Sequence, residues 1–93
     1  MEEKIKSAAI MADGHIFVGD RHDLIFRIMS KFGVERLIAI RGKQGFITTL
    51  NRFVDREEGL KIAERENQIL KKHFPLDQLL SEDMRLWEQK DGL

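Results

Sequence analysis

Apolar residues between Ile5 and Ala12 fall on both alternations of an extended chain. Ile5, Ala9 and Met11 lie on one side and Ala8, Ile10 and Ala12 on the other, which predicts a strand buried on both faces. Asp13-Gly14 supplies the pair suited to a two-residue hairpin, because both residues tolerate positive φ, and His15 to Val18 reads as the returning strand. The period then changes. Leu24, Ile25, Ile28, Met29 and Phe32 recur at helical spacing, so a helix is expected over Arg21 to Phe32, capped by Asp20 and stopped at Gly33.

Leu37 to Ile40 reads as a short strand, and Phe46 to Thr49 with Arg52 to Val54 as a second hairpin turning at Leu50-Asn51, where Asn accepts left-handed backbone. Asp55 followed three residues later by Glu58 resembles a capping box and opens a second helix, expected from Arg56 to about Lys72. That helix should bury Leu60, Ala63 and Ile69 or Leu70, and Pro75 blocks its continuation. The tail from Leu76 to Trp87 is apolar enough to dock or to form a short helix after Ser81, while residues 88–93 should fray. The order ββαβββα plus tail predicts an α+β domain, a small antiparallel sheet carrying two helices, with residues 1–93 as one unit.

A domain of 93 residues leaves a large share of its apolar surface in water, so assembly with copies of itself is expected. The chain has no cysteine, which excludes disulfides, thiolate metal sites and a cysteine nucleophile. No stretch approaches the roughly 18 apolar residues of a membrane span, and the start lacks the order of a signal peptide. A soluble, intracellular protein is expected. The 16 basic and 16 acidic side chains cancel, which argues against a long nucleic acid as partner; a small anion held by a few placed arginines needs only local geometry.

Catalytic patterns are sparse. Ser7, Ser30 and Ser81 sit outside any Gly-x-Ser-x-Gly elbow, and His15, His22 and His73 have no histidine one turn away. Arg41-Gly42-Lys43-Gln44-Gly45 holds glycines and cations without phosphate-loop spacing. Binding features are better represented. Gly42 and Gly45 permit close approach to the backbone, Phe46 offers a ring face to a nucleobase, and Arg21 and Arg56 each stand in the first turn of an expected helix, where backbone N–H groups favour an anion. Phe46 and Phe53 are equally readable as core residues of a hairpin, and the arginines as a solvated face.

Taken in order, Gly19-Asp20-Arg21-His22, Gln44-Gly45-Phe46, Arg52-Phe53-Val54-Asp55-Arg56-Glu57-Glu58, Ile62-Ala63, Gln68-Ile69 and Leu80-Ser81-Glu82-Asp83-Met84 form a set spanning nearly the whole chain. This set resembles the Thoeris anti-defence family of phage signal sponges. Members of that family bind cyclic ADP-ribose isomers without cleaving them, and some hold cyclic di- or trinucleotides at a separate site in a hexamer built from dimers. The resemblance implies that Arg21, with His22 beside it, contacts phosphates and that Phe46 stacks on the base. It further implies that Asp55 or Arg56 and Asp83 reach ribose hydroxyls or base edges, and that Lys71 or Lys72 closes the pocket. Glu66-Asn67-Gln68 stands where Ala-Gly-Gln is common in the family.

The function expected from residues and resemblance together is non-catalytic sequestration of a cyclic nucleotide signal. The protein would act as a homo-oligomer, dimer to hexamer, in the cytoplasm of an infected bacterium, with no cofactor and no membrane contact. Two alternatives stay open. One is a protein-binding inhibitor of a host enzyme acting through Trp87, and the other a metal-dependent phosphoesterase built on His22, Glu82 and Asp83.

Overall fold

The computed structural model describes residues 3–84. The chain forms β1 (Ile5–Ala12), β2 (His15–Gly19), α1 (His22–Lys31), α2 (Arg36–Arg41), β3 (Lys43–Thr48), β4 (Phe53–Asp55), α3 (Arg56–Arg65) and α4 (Ser81–Met84). Every strand pairing is antiparallel, and the sheet order is β2-β1-β3-β4. The α+β architecture is the one expected. The expected tail contacts of Trp87 and the fraying of residues 88–93 lie outside the described residues.

Local chemistry sets most boundaries. Asp13 and Gly14 turn the first hairpin with φ of 50° and 76°, and Asn51 turns the second with φ of 60°. In β1, Lys6 is an extra residue between the Ile5↔Thr48 and Ser7↔Ile47 pairs. This bulge shifts the alternation by one, so that Ile5 joins Ala8, Ile10 and Ala12 in the core instead of facing away. Helix α1 ends in a Schellman arrangement, in which Gly33 donates to the Ser30 carbonyl and Val34 to the Met29 carbonyl at 3.1 and 2.9 Å.

Three expectations are corrected. Leu37 to Ile40 lies within helix α2 and not in a strand. The sequence expectation of an Asp20 cap also fails: the N-cap position of α1 is Arg21, which makes no side-chain capping bond, and the first N–H of the helix, from His22, goes to Ser81 Oγ at 3.3 Å. The second helix stops at Arg65, well short of Lys72. There Asn67 enters the left-handed region with φ of 55°, at the position where the resemblance carries glycine, and Asn67 and Gln68 donate back to the Glu64 and Ala63 carbonyls. Gln68 then reaches β1, accepting from the Ile5 N–H at 2.8 Å and donating to the Ile5 carbonyl at 2.9 Å.

Helices α1 and α3 cover one face of the sheet. Ile25 and Met29 of α1, Leu60, Ile62 and Ala63 of α3, and Leu79 and Met84 from the tail close over Ala8, Ile10, Phe46 and Val54. Arg52 ties the chain entry down at the rim, donating through Nε and Nη2 to Glu3 and through Nη2 to Glu58. Arg52 and the Thr48 hydroxyl hold the Glu3 carboxyl at about 2, so that it stays ionised well into acid.

Candidate functional site

Helix α3 starts at Asp55, whose Oδ1 accepts the Glu58 N–H at 2.8 Å as the cap pattern predicts. Capping fixes the direction of the next residue, Arg56, across the beginning of β3, where its Nη2 donates to Gln44 Oε1. The Arg56 carbonyl accepts from the Leu79 N–H at 2.9 Å, which brings the tail over the same place. Together these segments border a cleft of about 310 Å³ lined by Gly42, Gln44, Asp55, Arg56, Glu57 and Gln78.

Arg56 is the chemical centre of this cleft. Its guanidinium is half-buried, and burial lowers its pKa while the nearby Glu82 opposes the shift. Its Nε is sealed from solvent and has no hydrogen-bond partner among the described residues. A half-buried guanidinium bordering a cleft favours an anion there through charge-assisted hydrogen bonds from its accessible nitrogens. The cleft also lies at the positive end of the α3 dipole. Asp55 and Glu57 add acceptors for hydroxyl groups, and Gln44 and Gln78 add amides able to pair with base edges. A second cleft of about 350 Å³, between α1 and α2, is lined mainly by Phe26, Val34, Ala39 and Ile40, with Ser30 and Arg36 at its border.

The remaining expected site residues go elsewhere. Phe46 is 0% exposed and presents no ring face for stacking; it is a core residue, edge-on to His22 with ring centroids 5.2 Å apart. Gly45 serves internal packing: a Cβ there would stand 2.6 Å from the Phe53 ring and 2.2 Å from the Val54 carbonyl oxygen. Gly42, by contrast, borders the Arg56 cleft, and its lack of a side chain also admits Ile10 and Ala12, a Cβ there falling 2.8 Å from Ile10 Cγ2. Arg21 pairs with Asp23 at 3.0 Å at the start of α1.

Asp83 is 0% exposed and anchors the segment before it. Its Oδ1 accepts from the His73 backbone N–H and lies 2.8 Å from His73 Nδ1, and its Oδ2 accepts from the Leu80 N–H and pairs with Lys72 Nζ at 2.9 Å. Burial pushes this carboxyl up, but the bonds from Leu80, Lys72 and His73 outweigh it and hold the group below its ordinary value. Lys72 also donates to the His73 and Pro75 carbonyls, so its ammonium is spent on the tail and not on a ligand. His22, Glu82 and Asp83 therefore do not converge as a metal set, and among the described residues no group of three such side chains is placed to hold an ion.

His22 is buried, and its Nε2 lies 2.9 Å from the Gly45 carbonyl, which requires the Nε2–H to donate. Desolvation lowers its pKa below 6.5, with Arg56 acting in the same direction and Glu82 and the Gly45 and Ala9 carbonyls opposing. A histidine held neutral in the fold takes up protons more readily when unfolded, so its stabilisation is complete above 6.5 and is lost as pH falls toward the lowered value. The melting temperature should fall between pH 7 and pH 5. In His22→Gln, whose amide can still donate to Gly45, that slope should flatten; an unchanged slope would assign the pH dependence to other groups.

Residues 4–85 match a family model described as phage T4 y16D protein. The chain belongs to the phage T4 y16D family. No curated protein and no solved structure matches it. The family description names a phage protein and no ligand, so the chemistry of this y16D-family member rests on its own residues. Of those, Gln44 was legible as part of the Gln-Gly-Phe motif, although the glycine and phenylalanine drew the binding roles. Gln78 gave no signal, because only the Leu79–Arg56 backbone bond brings it to the cleft. Among the described residues no helix is long and apolar enough to cross a membrane.

Proposed function

We propose that this phage protein sequesters a small phosphorylated nucleotide in the cleft at the start of α3, as a non-catalytic sponge for a cyclic nucleotide signal in the host cytoplasm. The observation that carries the reading is the half-buried Arg56 guanidinium bordering a polar cleft at a helix N-terminus. In this arrangement Arg56 holds the phosphate, Asp55 or Glu57 accepts from ribose hydroxyls, and Gln44 and Gln78 read the base edge. The volume of about 310 Å³ is near the lower limit of small-molecule sites, roughly 300–1,000 Å³, so one nucleotide unit fits within the cleft and the rest of a cyclic ligand lies at its mouth.

With Phe46 in the core, no described aromatic lines the cleft, and the stacking contribution of about 1–3 kcal/mol per base is absent. Affinity should then be micromolar, about 8 kcal/mol. Calorimetric titration with cyclic ADP-ribose isomers and cyclic di- and trinucleotides, followed by heat release and chromatography, tests the reading. Binding with intact ligand recovered is expected, as is at least a tenfold loss in Arg56→Ala that Arg56→Lys does not restore, since lysine lacks the bidentate fork. Absence of binding to every ligand, or recovery of a cleaved product, would overturn it.

A further inference from the structure

Strand β2 is an edge of the sheet, and among the described residues it carries none of the devices that usually keep an edge from pairing. Its sequence, His15 to Gly19, contains no lysine, proline or bulge. The other edge, β4, is three residues long and bounded by Arg52 and Asp55. In the two-residue hairpin, His15 and Phe17 face Ala12 and Ile10 as hydrogen-bonded pairs, so the N–H and C=O groups of Ile16 and Val18 point away from the sheet. Among the described residues nothing pairs with them.

Apolar side chains flank this edge on both sides. Ile16 and Val18 stand on the face opposite the helices, 47% and 50% exposed, and Leu24, Ile28 and Phe32 form an i, i+4, i+8 stripe along α1, 36%, 38% and 78% exposed. Phe32 meets His15 and Phe17 around one cleft, which joins the stripe to the strand. Together these five side chains expose apolar surface on the order of several hundred Å², the size at which an exposed patch on a small protein marks an interaction surface.

We propose that β2 is the dimer interface of this protein, pairing antiparallel with β2 of a second copy to make one continuous eight-stranded sheet. A two-fold axis at Phe17 sets Ile16 opposite Val18 of the other copy and Val18 opposite Ile16, so the four outward N–H groups of the two strands meet four outward carbonyls. The Leu24-Ile28-Phe32 stripes of the two α1 helices then close on each other beneath the joined strands. The strand recognises itself because both its hydrogen-bonding groups and its side chains repeat about that axis. The Arg56 cleft lies on the β3–β4 half of the sheet and stays open in such a dimer.

Sedimentation equilibrium of the full chain tests this. Wild type should sediment at twice the 10.9 kDa chain mass at micromolar concentration. Val18→Pro removes an outward N–H without breaking a bond to β1 and should give a folded monomer. Ile28→Glu, which changes only the exposed stripe, should weaken the dimer at least tenfold with an unchanged circular dichroism spectrum. A wild type that stays monomeric throughout the micromolar range, or a dimer that survives Ile28→Glu, would overturn the proposal. Arg56→Ala should leave the dimer intact, which separates this test from that of the ligand cleft.

Discussion

Asp83→Ala should lower the free energy of unfolding by about 3–5 kcal/mol, because it leaves the Lys72 ammonium and the His73 and Leu80 N–H groups facing a buried gap. For a chain of this length total stability is roughly 5–14 kcal/mol, so the variant should be largely unfolded in low urea. Asp83→Asn keeps one acceptor and should lose less. Hydrogen exchange gives the local readout: the His73 and Leu80 amides should lose protection ahead of those of β1. Because the carboxyl is held below its ordinary 3.8, its contribution is complete above that value and disappears as pH falls through the lowered one. A stability within 1 kcal/mol of wild type for Asp83→Ala would show that the tail does not depend on this anchor.

Phe46→Ala is the second large effect. The ring is fully enclosed between His22, Gly59 and Leu79, and its removal opens a cavity that Gly59 has no side chain to fill. A loss of about 3–5 kcal/mol is expected in a urea melt, with Phe46→Leu recovering most of it. If Phe46 instead stacked on a ligand, Phe46→Ala would abolish binding while leaving the melt unchanged. The two outcomes are opposite, so a single melt and a single titration decide between them.

Phe46 illustrates why the site was harder to read than the fold. Asp13-Gly14, Gly33, Asn51 and the Asp55–Glu58 cap act on their own backbone, so their effect is readable from neighbours in the chain. An aromatic after a glycine, a histidine at a helix start and an aspartate after a serine serve a ligand or a core equally well. What decided their roles were contacts such as His22 with Gly45 and Asp83 with Lys72 and His73. The position of Arg56 at the start of α3 was legible because it follows from the cap beside it. The strand expected at Leu37 to Ile40 failed for a different reason: a run of four apolar-rich residues is too short to separate period two from period 3.6. The second helix was read too long because Ile69 continues the apolar spacing, whereas Gln68 is drawn off to bond with Ile5.

The Gln68 clasp on Ile5 bears on how the protein is made. Residues 63 positions apart share two hydrogen bonds, and the Ser81 hydroxyl that receives the first N–H of α1 comes 59 positions after it. On the ribosome the first hairpin is complete long before either partner has been synthesised. Its central strand lacks β3 until residue 48 is in place, and α1 lacks its cap until residue 81. Folding is consequently a whole-chain event that waits for the last third of the polypeptide, and a chain released early would expose the apolar face of its first strands.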